Sequence, residues 1–121
     1  MQVFSFRISQ LNNALVLAIS GPLDMVQCDQ FHEVLSETVA RLTTGMALIL
    51  DLVFVSAFDS EAMKTLLEHL EAIRECSGDE VFIVAKSRLT KLVIEAAKPV
   101  FGVSIPVMGT LKEALGRVGS C

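Results

Sequence analysis

Residues 46–60 read MALILDLVFVSAFDS, and this stretch decides the fold. From Met46 to Val53 it is almost continuously apolar, interrupted by Asp51. A strand with one wet face alternates apolar and polar residues. An unbroken apolar run of this length reads instead as a strand covered on both faces, and such strands are usually parallel and central. At Asp59-Ser60 the period changes. Ala62, Met63, Leu66, Leu67, Leu70 and Ile73 then recur at helical spacing, with Glu61, Lys64, Glu68, Glu71, Arg74 and Glu75 between them. A buried strand feeding an amphipathic helix is the first half of a right-handed βαβ crossover. Asp51 inside the apolar run needs a hydrogen-bond partner, backbone or hydroxyl, to be tolerated there.

Toward the N-terminus, Val3 to Ile8 alternates, with Phe4, Phe6 and Ile8 on one side and Val3, Ser5 and Arg7 on the other. That predicts a half-buried strand. Asn12-Asn13 is a turn signal, and Ala14 to Ile19 is a second apolar strand, so the two should form an antiparallel hairpin. Gly21-Pro22 is expected to break that strand. Asp24 is placed to cap a helix, with Gln27 as its capping-box partner. Phe31, Val34, Leu35, Thr38, Val39 and Leu42 would be the inward side of that helix, and Gly45 its end.

Toward the C-terminus, Gly78 closes the helix that Ser60 opens, and Val81 to Ala85 is a short apolar strand. Ser87 starts a helix with Leu89, Leu92, Val93 and Ala96 predicted inward, and Pro99 is expected to end it. Val103 to Val107 reads as a last short strand, with Pro106 marking an edge or an end. Thr110 and Glu113 form a capping box for a final helix carrying Leu111, Ala114 and Leu115. The order β-β-α-β-α-β-α-β-α predicts one α/β domain over residues 1–121. Its sheet is mixed and mostly parallel, opened by a β-hairpin and packed by about four helices.

The 121 residues are 52% hydrophobic and 20% charged, which suits one packed core. The net charge of −4 argues against nucleic acid, whose phosphates need a basic face. The densest basic group, Lys86, Arg88, Lys91 and Lys98, reads as a solvated helix face beside Glu95. Cys28, Cys76 and Cys121 have no close spacing, and His32 and His69 fit no metal-ligand pattern, so no metal, no cofactor and a reducing compartment are expected. Neither a secretory leader nor a run of ~20 apolar residues is visible, which predicts a cytoplasmic protein with no membrane insertion. GxxxxGK[ST], GxGxxG and GxSxG are all absent. No catalytic constellation emerges, and the chain is not read as an enzyme.

Two segments carry a resemblance. Ile19-Ser20-Gly21-Pro22-Leu23-Asp24 leaves the second strand, and Leu50-Asp51-Leu52-Val53-Phe54-Val55-Ser56-Ala57-Phe58-Asp59-Ser60 leaves the third. A G-x-L-D turn followed by L-D-L, a Val and a D-S pair at a helix start resembles the STAS family, of the anti-sigma-factor-antagonist type. The late Ile105-Pro106-Val107 and the Leu111 to Leu115 helix fit as well. The resemblance implies a partner switch rather than a catalyst. In such proteins the D-S serine is phosphorylated by an anti-sigma factor that is also a serine kinase. The unphosphorylated form binds that factor, and a metal-dependent serine phosphatase resets the switch. By resemblance, Ser60 matches the phosphorylated serine, and Asp24 and Asp51 match acids near it; with the adjoining Asp59, Glu61 and Lys64 they are the expected partner-binding residues.

Two positions depart from the family pattern. Glu61 stands where a second hydroxyl is common, and Ala62 where Gly is common. A charge built in beside Ser60 would weaken kinase docking or mimic part of a phosphate. STAS domains also serve, without phosphorylation, as adaptor subunits of membrane transport complexes of the lipid-transport ABC or anion-transporter type, and Glu61 suits that alternative. An exposed strand at Val3 to Ile8 would permit weak homodimer formation.

Overall fold

The computed structural model describes residues 5–11, 13–23, 28–42, 46–58, 60–77, 80–100, 102 and 105–118. The elements run β1 Ser5–Leu11, β2 Ala14–Leu23, α1 Cys28–Arg41, β3 Ala47–Phe58, α2 Ser60–Ser77, β4 Val81–Val84, α3 Arg88–Val100, β5 Val107–Met108 and α4 Leu111–Arg117. They form one five-stranded sheet in the order β1-β2-β3-β4-β5. β1 and β2 are the expected antiparallel hairpin, from Leu11 opposite Ala14 to Ser5 opposite Ser20. The other pairings are parallel. β3 is the middle strand, and its Leu48, Ile49 and Leu50 are fully buried, as the continuous apolar run requires.

The strand order advances by one neighbour at each crossover, so right-handed connections place α1, α2 and α3 on the same face. That face holds the larger core. Phe31, Val34 and Leu35 of α1, Ala62, Met63, Leu66, Leu67 and Leu70 of α2, and Ile94 of α3 pack on Leu17, Ile19, Leu48, Leu50, Leu52 and Ile83. On the opposite face Val16, Ile49, Phe82, Val84 and Met108 are covered by α4 through Ala114, with Leu111 and Leu115 beside it. Thr110 caps α4 as expected, its Oγ1 accepting the Glu113 N–H at 3.1 Å.

Several expectations need correction. Gly21-Pro22 does not end β2. The strand continues to Leu23 with an irregularity between Gly21 and Pro22, and Gly21 takes φ 89°, which glycine adopts without strain. Pro99 does not end α3 but lies inside its last turn, where a missing N–H removes a single bond. Gly102, at φ 68°, comes next, and its N–H reaches the Pro99 carbonyl at 3.4 Å. The last strand, Val107–Met108, is an edge strand, as Pro106 suggested, but Pro106 precedes it rather than closing it. Pro106 still serves the sheet as an acceptor, its carbonyl receiving the Ile83 N–H at 3.0 Å.

The largest correction concerns α3. Leu89, Leu92, Val93 and Ala96 do not point inward. Leu89 is 72% exposed, Leu92 58% and Val93 44%, and Ile94 is the buried residue. The helix sits at the end of the sheet, over a strand of two residues, so only a narrow strip of it can be covered. Val39, expected inward on α1, is also exposed, while Thr38 is buried and donates to the Val34 carbonyl at 2.8 Å. Gln27, Gly45 and Gly78, and the proposed capping role of Asp24, lie outside the described residues.

Candidate partner-binding rim

Parallel β2, β3 and β4 all point their C-terminal ends toward one rim of the sheet, and α2 and α3 start from it. In open α/β sheets this rim is where binding groups collect. β3 overhangs it. β4 pairs only with Leu48 to Asp51, whereas β3 runs on to Phe58 beside β2, whose Leu23 lies opposite Phe58. Two residues later Ser60 opens α2.

The helix that Ser60 opens fixes the serine in place. Ala62, Met63, Leu66, Leu67 and Leu70 bury one side of this 18-residue helix, so its first turn cannot shift without breaking core contacts. The Ser60 side chain lies outside the described residues, as do Asp59 and Asp24 entirely. Glu61 is exposed in the first turn, and its carbonyl accepts the Thr65 hydroxyl at 3.0 Å. Lys64 is exposed one turn further on. The first-turn N–H groups and the positive end of the helix dipole meet here, so an anionic group at position 60 is favoured electrostatically. Glu61 and Lys64 are therefore exposed on the helix end that Ser60 opens.

Asp51 is placed differently. It lies seven residues before the end of β3, opposite Ala18 on β2 and Val84 on β4. It is 8% exposed, and its Oδ1 accepts the Val53 N–H at 3.0 Å. The strand pairing explains that bond. Between Ala18 and Ser20 on β2 the partners on β3 step from Asp51 to Phe54, so β3 carries one extra residue, a bulge. The carboxylate satisfies a backbone donor within the bulged segment. Past the bulge the alternation changes phase: Val55 packs against the core, and Phe54 turns out, 68% exposed. The sequence did not disclose the bulge. Its one signal was an acid where an unbroken apolar run had no use for one.

Elsewhere on α2, Arg74 is bonded to Glu71, with Nε at 3.3 Å from Oε2, and this hydrogen bond raises its guanidinium above its ordinary pKa. The pair braces the far end of the helix. Among the described residues no cluster of His, Cys, Asp or Glu could hold a metal ion, and no helix is long and apolar enough to cross a membrane.

Comparison with solved structures gives the same architecture. An anti-sigma factor antagonist from Mycobacterium paratuberculosis superposes with a TM-score of 0.73 at 21% identity, over 96% of this chain and 94% of its own. The Bacillus cell fate determinant SpoIIAA, in its phosphorylated form, gives 0.65 at 19% identity over 94% and 99%. SLC26A9 gives 0.73 at 16% identity, over 89% of this chain but 20% of its own. At these identities the likeness is one of fold. No curated protein sequence matches the chain. The family model described as the STAS domain matches residues 5–114, from the start of β1 into α4, and the chain belongs to the STAS domain family.

Proposed function

We propose that this protein is an anti-sigma-factor antagonist: a partner switch that sequesters an anti-sigma factor with serine-kinase activity and releases it when Ser60 is phosphorylated. The observation that carries the reading is the position of Ser60, the first residue of a core-anchored helix at the sheet rim, within a chain of the STAS family. Phosphate there would add about −1.5 to −2 charge at pH 7. The helix end accommodates that charge, so the fold survives, and the neighbouring Glu61 adds to it. The switch then acts on docking: the charge repels or displaces a partner seated over Ser60, Glu61 and Lys64. A metal-dependent serine phosphatase would restore binding. The protein itself supplies no catalytic group and acts in the cytoplasm.

Incubation with a candidate anti-sigma kinase and ATP, with intact-mass spectrometry as the readout, tests this. One added phosphate, absent in Ser60→Ala, is expected. Ser60→Asp should weaken binding of the kinase by tenfold or more. Undiminished binding by Ser60→Asp would refute the switch.

A second reading is favoured by Glu61 and by the likeness to one fifth of SLC26A9, where this fold is part of a larger chain. It makes the domain a constitutive adaptor on a membrane transport complex. Stable partner binding with no phosphate transfer would support it.

A further inference from the structure

β1 and β5 are the two edges of the sheet, and they differ in kind. β5 is two residues long and follows Pro106, so it offers little backbone to another strand. β1 is seven residues long, and its pairing with β2 uses one side of the strand. Among the described residues no strand pairs with its other side. Long edges are usually guarded by Lys, Pro or a bulge. The sequence of β1, SFRISQL, holds neither Lys nor Pro, its register with β2 is continuous from Ser5 to Leu11, and its one charge is Arg7. Its faces differ as well. Ile8 packs on the larger core, and Phe6 and Gln10 share that face by alternation. Phe6 is 40% exposed, although its neighbour across β2 is the fully buried Ile19. Ser5, Arg7, Ser9 and Leu11 lie on the other face.

From this edge we infer that β1 pairs with β1 of a second copy, antiparallel about a two-fold axis at Ile8, and joins two sheets into one of ten strands. An open edge takes an extended strand, because only a strand returns its N–H and C=O groups in register. The side chains of β1 select its own copy. A two-fold axis perpendicular to the sheet makes the new pair antiparallel and keeps each face on its own side. Full overlap of the seven residues then allows one register: Ser5 opposite Leu11, Phe6 opposite Gln10, Arg7 opposite Ser9 and Ile8 opposite Ile8. In it the one cation meets a hydroxyl. On the other face the two Ile8 side chains meet, and each Phe6 lies diagonal to the partner copy's Ile8, within reach of an aromatic ring. A slip of two residues one way sets Arg7 against its own duplicate, and the other way leaves Phe6 beyond the paired stretch. Seven paired residues make a small interface, so the dimer is a weak one. Because the pair is antiparallel, the two Ser60 rims lie at opposite ends of the joined sheet and both stay open. The pairing does not rest on the role given to Ser60.

Sedimentation velocity of the whole chain over a wide range of concentration tests the inference, with circular dichroism to show that each variant folds. The natural sequence should shift from monomer to dimer as concentration rises. Ser9→Arg sets an Arg against Arg7 of the partner copy on both sides of the axis, and should raise the dimer Kd at least tenfold. Adding Arg7→Glu to Ser9→Arg turns both repulsions into Glu–Arg pairs, and should restore the dimer. That rescue is specific to the register, since a merely damaged strand would not regain its partner. Ser60→Asp should leave the Kd unmoved, which separates this edge from the phosphorylation site. A chain that stays monomeric at every concentration overturns the proposal. So does a dimer indifferent to Ser9→Arg, a dimer that the double variant fails to restore, or one abolished by Leu89→Ser, which would place the contact on α3.

Discussion

Asp51 shows how one residue can shape a site without belonging to its surface. Its carboxylate accepts the Val53 N–H inside the β3 bulge, and the bulge sets which side chains face the core on the way to Ser60. Asp51→Ala would leave that N–H without its acceptor at a nearly buried position and cost about 1–3 kcal/mol. Asp51→Asn keeps an oxygen there and should cost less than about 1 kcal/mol. Urea denaturation of both variants measures the difference, and equal losses would mean that the charge, rather than the bond, holds the segment. The same scale contains Glu61, exposed in the first turn of α2. If its charge hinders the kinase, Glu61→Ser should be phosphorylated at Ser60 several times faster than the natural sequence. An unchanged rate in a quenched-flow or radiolabel assay would remove Glu61 from the switch. The sequence made Ser60, Glu61 and Lys64 readable as one group because consecutive helix positions are neighbours by construction. It also marked Asp51 as an acid in need of a backbone or hydroxyl partner, but not the bulge around it, which is set by the pairing of two strands rather than by either strand alone.

Among the elements, α2 and α3 give opposite lessons. On α2 the large apolar residues form one stripe and the other positions, apart from Ala72 and Cys76, are polar, so periodicity alone identifies the buried side. On α3 apolar residues cover well over half the circumference, and periodicity locates an apolar arc without saying which part of it meets the sheet. The two-residue β5 beneath it settles the choice in favour of Ile94. This assignment makes a contrast that stability measurements can read. Ile94→Ala removes a fully buried side chain and should cost about 2–5 kcal/mol. Leu89→Ala, at an isomeric but exposed side chain, should change stability by no more than about 0.5 kcal/mol. Matching losses at both positions would show that Leu89 is covered in solution. Element order and strand direction were legible for the reason α2 was: a hairpin leading into alternating strands and helices leaves few topologies open. Strand ends were not, since Gly21-Pro22 and Pro106 are compatible both with a stop and with a strand that tolerates one missing donor.

At the scale of the molecule the two faces of the sheet are covered unequally. Three helices seal one side, whereas the other depends on α4, seven residues long and joined to the core by Ala114. A helix this short has little stability of its own and holds its place by packing and by the Thr110 cap. Ala114 is fully buried, so Ala114→Asp would drive a charge into that contact and unseat α4 rather than be absorbed. Val16, Ile49, Phe82, Val84 and Met108 would then meet water. The variant should lose at least about 3 kcal/mol in urea denaturation and bind the dye ANS, while the helices of the larger core keep their far-ultraviolet circular dichroism. The rim at Ser60 belongs to an element anchored in that larger core, so kinase binding by the folded fraction should persist. Binding lost along with α4, at a concentration of denaturant where α2 is still helical, would place the partner on both faces of the sheet and make α4 part of the switch.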